Sequence, residues 1–217
     1  MKVSIVMNPY QRAHLLKPTL TSIFQQINRL YPRSDYEVIV VEDGYDGGKT
    51  MAVCAEYPVH YIQRTDRPDT AWSNPAVPLN MGIDAAKGDI IIQQNAECLN
   101  INNVVETMSK LPRGEAWFAS CMALKEDGTE DKWYCHPEHR PRPDFFCGAF
   151  WKDEAPRYNE AFTEYGWEDV RWADDARAKG LTFHYLYPHE ALVHHQWHPP
   201  FVGNSQSRTL YEAMKKC

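Results

Sequence analysis

The chain has 217 residues, of which 43% are hydrophobic and 24% are charged, and this composition is typical of one globular domain with a closed core. A net charge of −6 and a sequence pI of about 5.8 argue against the broad cationic surface of a nucleic-acid-binding protein. No apolar run approaches the roughly 20 residues of a membrane-spanning helix, so we expect no membrane span.

The opening of the chain and its cysteines predict a cytoplasmic protein. Residues 1–9 form a segment that is too short and too soon interrupted for a signal peptide. The cysteines form no Cys-x-x-Cys pair, and we expect reduced thiols that mostly fill the core; they are Cys54, Cys98, Cys121, Cys135, Cys147 and Cys217. An alternative is a zinc site built from Cys135, His136, His139 and Cys147, although this spacing matches no common structural zinc pattern.

The first half of the chain alternates between strand and helix patterns. Short apolar runs predict strands at residues 3–7, 37–41, 59–63 and 89–93. The segments between and after them predict helices at residues 16–30, 49–57, 74–87 and 101–111. In the first helix Pro18 is tolerable only in the first turn, and Gly88 is expected to cap the third helix.

The second half predicts a smaller, mixed set of elements. Strands at residues 117–124 and 132–135 flank a hairpin turn, and further strands are expected at 144–152, 181–187 and 191–195. Helices are expected at residues 166–179 and 205–216. No composition shift separates two domains, so we predict one domain over residues 1–204. We divide it into two halves at about residue 112, and we expect a peripheral helical tail at 205–217.

The alternation predicts an α/β fold with a mostly parallel, Rossmann-like sheet flanked by helices. Ligands bind beyond the carboxyl ends of the strands in such sheets, so the loops after Met7, Val41 and Gln93 should converge on one cleft. Asp43 then faces the cleft and can accept hydrogen bonds from a base or ribose, unless it only caps a turn. Glu97, supplemented by Asn95, can ligate a divalent cation, unless the segment is an ordinary polar turn.

Histidines end the last predicted strand. His195 and His198 have a spacing that is compatible with ligation of one ion, and imidazole with carboxylate suits Mn²⁺ better than Mg²⁺. The alternative is a surface cluster or a core histidine bonded to the backbone.

A second acidic cluster begins the helix predicted at residues 166–179. Glu168 and Asp169 gain from the helix dipole, which by itself explains them as capping residues. Gly166 and Trp167 before them indicate a close approach and an aromatic platform for a sugar. Asp169 is then a candidate base for the proton of an attacking hydroxyl.

Read in order, these segments resemble the GT-A glycosyltransferases, in particular the inverting enzymes of family 2. Residues 4–12, which include Pro9 and Arg12, look like the first strand and nucleotide loop of that family. Residues 40–44 are similar to its acidic Asp-Gly motif, and residues 80–91, beginning at Asn80, match its Asn-x-Gly helix and the following strand. Residues 166–169 and 195–198 look like its acceptor-side motif and its late histidine segment. The resemblance covers residues 1–200.

The resemblance implies a metal-dependent transfer of a sugar from a nucleotide-sugar donor to the hydroxyl of a carbohydrate or other acceptor. Among the nucleotides, it favours UDP. It implies Asp169 as the base, Glu168 and Trp167 on the acceptor, and Asp43 near the nucleoside. Glu97, His195 and His198 would hold the metal. The nucleotide-binding candidates are Pro9, Arg12, Asp43, Arg64, Asn80 and Asn95.

The chain departs from the family pattern in two ways. Residues 95–97 read Asn-Ala-Glu where the family usually has Asp-x-Asp, so metal binding can be weaker, lean on the histidines or be absent. The acceptor region is short, which suggests a small acceptor or one that is bound partly by another protein. Two alternatives stay open. One is a non-catalytic nucleotide-sugar-binding relative, and the other is a nucleotidyltransferase, for which residues 7–16 lack the expected Gly-rich, basic phosphate loop.

Overall fold

Strands and helices alternate along the first half of the chain, as the apolar pattern predicts. The structure is a computed structural model, and it describes residues 2–30, 32–67, 74–164, 166–199 and 205–215. The strands of these residues are β1 (Val3–Met7), β2 (Tyr36–Glu42), β3 (Val59–Gln63), β4 (Ile90–Gln94), β5 (Cys98–Asn100), β6 (Glu115–Phe118), β7 (Ser120–Leu124), β8 (Glu130–Cys135), β9 (Cys147–Trp151), β10 (Thr182–Tyr185) and β11 (Leu192–His195). The helices are α1 (Ala13–Ile27), α2 (Lys49–Cys54), α3 (Ala76–Ala85), α4 (Val104–Met108), α5 (Glu168–Ala178) and α6 (Ser205–Met214), with a short 3₁₀ helix at Arg33–Asp35.

The main sheet has seven strands in the order β10-β6-β9-β4-β1-β2-β3. Pairs β1–β2, β1–β4, β2–β3 and β6–β10 are parallel, whereas β9 runs antiparallel to both β4 and β6. Every residue of β1 and β4 is buried, which explains why neither shows an apolar–polar alternation; β1 is apolar except at Ser4, and β4 is apolar over residues 90–92. The predicted α/β class with a mostly parallel sheet is confirmed.

The second sheet is smaller and mixed, with strand order β5-β11-β7-β8. The predicted hairpin is present as β7–β8, but the single strand expected at residues 117–124 is wrong. The chain leaves the main sheet at Phe118 and enters the second at Ser120, because Ala119 donates its N–H to Cys147 and Ser120 donates to Ala191. One apolar run therefore contributes strands to two sheets. The switch from one sheet to the other is not visible in the polarity of the side chains.

Two helix details differ from expectation. Pro18 lies in the second turn of α1, not in the first. Proline has no N–H to bond the carbonyl of His14, four residues earlier. Pro18 is tolerated because both residues are exposed, so that carbonyl faces solvent. Gly88 does not cap α3, which ends at Ala85 with an extended Ala86. Glycine is needed at position 88 because a Cβ there would lie 2.6 Å from the backbone nitrogen of Ser4.

Helix α3 packs directly on the parallel strands. A Cβ on Gly82 would lie 2.5 Å from Val6 Cγ1 and 3.2 Å from Val41 Cγ2, so only glycine lets the helix come this close to β1 and β2. One buried apolar cluster continues from Val3 to Val193, through both sheets. The domain limits at residues 112 and 204 stay predictions.

The helical tail is mostly exposed where the structure describes it, and some of its side chains bond to the rest of the chain. Tyr211 of α6 donates to Asp174 at 2.7 Å, and Ser207 donates to the Glu164 carbonyl at 2.8 Å. Helix α6 therefore packs on α5 and on the segment that leads into it. Within the described ranges, no helix combines the length and apolar character needed to cross a bilayer. The expectation of unpaired thiols is confirmed for the five cysteines that are described, all of them buried; Met1, Lys216 and Cys217 lie outside the described residues.

Candidate active site

One cleft lies at the carboxyl edge of β1, β2 and β4. The loops after these strands and the start of α5 form its wall, as the parallel arrangement predicts. The residues that line it are Asn8, Tyr10, Arg12, Asp43, Pro75, Leu79, Gln93, Asn95, Ala96, Glu97, Asp144, Phe145, Phe146, Tyr158, Glu168 and Asp169. The structure therefore brings Asp43, Asn95, Glu97 and the acidic pair of α5 together.

Asp43 lies on the β1–β2 side of the cleft between two arginines. Its Oδ1 lies 3.1 Å from Arg64 Nη1 and its Oδ2 lies 3.6 Å from Arg67 Nε. The Arg67 guanidinium covers the Tyr10 ring at 4.5 Å. Gly44 has a φ of 99°, and a Cβ there would come within 2.9 Å of Arg67 Cδ, so glycine is favoured at position 44 by backbone conformation and by packing.

Glu97, His195 and His198 form a compact cluster of metal-ligand side chains. Their ligand atoms all lie within 4.8 Å of one another, and they are the only such group of three in the part of the chain that the structure describes. The Nε2 atoms of His195 and His198 lie 3.5 Å and 3.8 Å from Glu97 Oε1. The Cys135–Cys147 segment forms no such group, so the zinc alternative is not supported.

The cluster is held by the ends of two strands. The Gln196 amide nitrogen donates to the Leu15 carbonyl at 3.0 Å and to the Glu97 carbonyl at 3.2 Å. Its backbone N–H also donates to the Glu97 carbonyl, at 2.9 Å. Gln196 thus ties the end of β11 to α1 and to the loop after β4, and so sets the separation between the imidazoles and the carboxylate.

The electrostatics of this cluster keep the Glu97 carboxylate ionised. Burial alone would raise the pKa of Glu97, but the imidazoles of His195 and His198 and the charge of Arg12 outweigh it and hold that pKa well below its usual value. His198 Nε2 is buried and has no hydrogen-bond partner among the described residues. A charged carboxylate beside an orphaned imidazole nitrogen is a donor set that fits a divalent ion such as Mn²⁺.

Arg12 forms an ion pair with the Glu97 carboxylate. Its guanidinium donates to Glu97 Oε1, the oxygen that both imidazoles face. Gln11, just before it, has a φ of 52°, a left-handed conformation that non-glycine residues rarely adopt. This bend leads the chain into α1 at the cleft edge, where Arg12 lies. Strained backbone of this kind concentrates at functional sites.

The acidic pair of α5 forms the opposite wall. Burial, followed by the charge of Asp169, raises the pKa of Glu168 to about 8. Burial, followed by the charge of Asp144, raises the pKa of Asp169 to about 6. Glu168 Oε2 accepts a hydrogen bond from Asn74 Nδ2 at 2.9 Å. Burial thus favours a proton on this pair at neutral pH, and the pKa of Glu168 is the more strongly raised of the two.

Sequence reasoning missed Asp144, which lies beside this pair. Strand β9 runs antiparallel to β4, with Cys147 opposite Gln94, so the segment that enters β9 reaches the same edge as the loop that leaves β4. The sequence predicts the strand but not its direction, and so does not place Asp144 in the cleft. Arg142 and Arg140 lie 3.6 Å and 3.8 Å from its carboxylate.

Several predicted residues are not among those that line the cleft. Pro9 is buried, and its carbonyl accepts the Asp43 N–H at 3.2 Å. Arg64 is 7% exposed and pairs with Asp43 rather than facing the cleft. Asn80 holds the backbone of Tyr158 through two hydrogen bonds, at 2.9 Å and 3.0 Å. These three residues support the wall from behind, so direct nucleotide contacts by them gain no support here.

Trp167 also lies away from the cleft lining. Its ring packs against Tyr211 of α6 with a centroid separation of 5.0 Å. Gly166 was expected to permit a close approach, but no atom lies within 4 Å of where its Cβ would be. Glycine is favoured there because φ is 91°, and Trp167 itself has a φ of 73°. The geometry therefore gives the acceptor-platform role of Trp167 no support.

The fold matches solved glycosyltransferase structures. Residues 1–349 of S. aureus TarS match at 14% identity and a TM-score of 0.66, over 90% of this chain and 60% of that one. The same TarS fragment in complex with UDP-GlcNAc matches at 13% identity and a TM-score of 0.70, over 100% of this chain and 65% of that one. The chain thus spans less than two thirds of the TarS chains it matches, and at this identity the likeness shows a shared GT-A fold.

Sequence comparison identifies the family. No curated protein sequence matches the chain significantly. The model of the family described as glycosyl transferase family 2 matches residues 4–198, which is most of the 217-residue chain. The chain therefore belongs to glycosyl transferase family 2.

Proposed function

We propose that the chain is a metal-dependent, inverting glycosyltransferase that moves a sugar from a UDP-linked donor to an acceptor hydroxyl. One observation carries the proposal: a single cleft joins the Glu97 carboxylate, which His195 and His198 face, to the acidic pair Glu168 and Asp169. The first group suits a diphosphate with its counter-ion, and the second suits a hydroxyl that must lose a proton.

The donor lies along the β1–β2 edge in this proposal. Asp43 accepts hydrogen bonds from the nucleoside, close to the Tyr10 ring, and Arg12 reaches the diphosphate. The TarS fragment with a matching fold has been crystallised with UDP-GlcNAc and with UDP, which supports a UDP-linked donor and makes UDP-GlcNAc the first donor to test. Asn95 lies beside Glu97 on the same wall and supplements it.

Glu97, His195 and His198 would hold the divalent cation, with Mn²⁺ favoured over Mg²⁺ because two of the three donors are imidazoles. When bound, such an ion neutralises negative charge on the departing diphosphate. Gln196 keeps these three donors at their separation, as its bonds to the Glu97 and Leu15 carbonyls indicate.

Asp169 takes the acceptor proton. A pKa raised to about 6 leaves it ionised at neutral pH yet more basic than an ordinary aspartate, which suits a general base. Glu168, protonated at neutral pH, donates a hydrogen bond that orients the acceptor. The hydroxyl approaches from the α5 side and the diphosphate departs toward the Glu97 side, so the displacement inverts the anomeric carbon.

The test measures release of UDP from UDP-linked sugars, with Mn²⁺, with Mg²⁺ and after chelation. Glu97→Gln and Asp169→Asn should each lower turnover, the first together with metal affinity and the second without changing it. Glu126→Gln, in the exposed β7–β8 turn, is the matched control. Turnover of Asp169→Asn close to that of the unaltered protein would refute the base assignment.

A catalytically weak or inactive nucleotide-sugar-binding relative is the second candidate, and two observations favour it. Asn95 takes the place of a carboxylate in the usual Asp-x-Asp motif. Arg12 already neutralises the remaining carboxylate, Glu97. Thermal stabilisation by UDP without hydrolysis or transfer, across a broad set of acceptors, would decide for this candidate.

We place the reaction in the cytoplasm. The five described cysteines are free and buried, which is typical of proteins of a reducing compartment. Counting the thiols of freshly purified protein after denaturation, without added reductant or oxidant, tests the premise that these thiols are reduced as isolated. Recovery of disulfides from freshly prepared protein would contradict it.

A further inference from the structure

Arg12 lies where the two halves of the proposed donor site meet. Its guanidinium donates to Glu97 Oε1 and also lines the cleft beside Asp43 and Tyr10. The Nε2 atoms of His195 and His198 lie 3.5 Å and 3.8 Å from that same oxygen. A metal ion held by both imidazoles and this oxygen would therefore meet the guanidinium directly.

The charges of the site depend on where Arg12 points. Glu97 and Arg12 cancel when they are paired, so a divalent ion entering the cluster would find no net negative charge and would face a cation at close range. A nucleotide-sugar diphosphate brings two negative charges. Carboxylate, guanidinium, diphosphate and divalent ion together are then neutral, which makes metal and diphosphate mutually dependent.

Arg12 is able to change partners. Its side chain is 24% exposed, whereas that of Glu97 is 5% exposed, so the guanidinium comes from the open side of the pair. Guanidinium groups bind phosphate oxygens in the same forked geometry as carboxylates. Arg12 immediately precedes α1, so its side chain can swing along the cleft while the helix stays in place.

We propose that Arg12 is a resident cation that keeps divalent metal out of the Glu97–His195–His198 cluster until a nucleoside diphosphate draws its guanidinium away. This inference rests on the proposed function, because it assumes that the cluster binds metal and that the cleft binds the donor. It makes the metal site donor-gated: Mn²⁺ binds weakly to the empty protein and tightly with the diphosphate.

The experiment titrates the purified full chain with Mn²⁺ and follows free Mn²⁺ by electron paramagnetic resonance, with and without UDP. It compares the unaltered protein with Arg12→Met, which removes the guanidinium but keeps an extended side chain. Lys17→Met is the matched control, because it removes one positive charge from α1 at an exposed pair with Glu56. Glu97→Gln with UDP gives the background of metal held by the nucleotide alone.

Without UDP, Arg12→Met should bind Mn²⁺ at least about tenfold more tightly than the unaltered protein, since a cation beside the site is gone. Lys17→Met should match the unaltered protein. UDP should raise the Mn²⁺ affinity of the unaltered protein by a larger factor than that of Arg12→Met. If Arg12→Met does not fold, Arg12→Gln replaces it with the same expectation.

The failures of the two proposals are distinguishable. Equal or weaker Mn²⁺ binding by Arg12→Met without UDP, with Mn²⁺ binding still abolished by Glu97→Gln, would overturn the gating role and leave the metal site standing. Absence of Mn²⁺ binding above background in every variant, with and without UDP, would instead overturn the metal dependence in the proposed function.

Discussion

Replacing Glu168 by glutamine should stabilise the protein near neutral pH. Glu168 is 8% exposed, and burial with the adjacent charge of Asp169 raises its pKa from 4.5 to about 8. A group whose pKa is raised on folding stabilises the folded state least at high pH, so stability falls as the pH rises from 4.5 to 8. Glutamine has the same shape, can still accept the Asn74 hydrogen bond and does not titrate.

The size of the effect follows from the shifted pKa. At pH 7 the folded protein keeps a proton on Glu168 that the unfolded chain has released, at a cost of about 1.4 kcal/mol for each pH unit above 4.5. Over the interval from pH 4.5 to pH 7 we therefore expect Glu168→Gln to raise the free energy of unfolding by up to about 3 kcal/mol. The gain should shrink toward zero near pH 4.5 and level off above pH 8.

Urea unfolding followed by circular dichroism at pH 5, 6, 7 and 8 measures the difference. Glu126→Gln makes the same chemical change in the exposed β7–β8 turn and serves as the control. The prediction requires the curves of Glu168→Gln and the unaltered protein to diverge as the pH rises. Parallel curves, or a variant less stable at pH 8 than at pH 5 relative to the unaltered protein, would refute the account of this acidic pair.

Three further predictions concern single residues. Asp169→Asn should lower turnover by about 10²–10⁴-fold, and kcat/KM of the unaltered protein should fall tenfold per pH unit below about 6 as Asp169 is protonated; near-normal turnover would contradict this. Gln196→Met should weaken Mn²⁺ binding about tenfold in a calorimetric titration with UDP present, because the side-chain bonds to the Leu15 and Glu97 carbonyls are lost; unchanged affinity would contradict it. Gly82→Ala should lower the free energy of unfolding by about 1–3 kcal/mol, because its Cβ would lie 2.5 Å from Val6 Cγ1; an equally stable variant would contradict the packing.

The sequence is most informative about the parallel sheet. Strands β1 and β4 are buried on both faces, so each is mostly apolar without alternation, and its short length identifies it as a strand. Strand β5 was missed, because three residues are too few to show a pattern. The break at Ala119 between two sheets was missed for a different reason. Burial is the same on both sides of it, and only hydrogen-bond partners change.

The sequence also predicts some residues of the candidate site and misses others. Glu97 was found because polar residues that leave buried parallel strands gather at one edge, and His195 was found from its spacing to His198 and from the resemblance to family 2. Asp144 was missed because its place depends on the antiparallel direction of β9. The contact of Arg12 with Glu97 was also missed; it follows a left-handed backbone at Gln11, and a non-glycine residue gives no sequence signal for that conformation.

The central claim is that one cleft holds the donor diphosphate against the Glu97–His195–His198 cluster. Crystals grown with UDP and Mn²⁺, with diffraction recorded at the manganese absorption edge, test this most directly. The account predicts an anomalous peak in contact with the Glu97 carboxylate and both imidazoles, with the diphosphate beside it and the Arg12 guanidinium turned to a phosphate. A diphosphate bound elsewhere, or a cluster that stays closed by Arg12 with UDP in the cleft and no manganese peak, would contradict it.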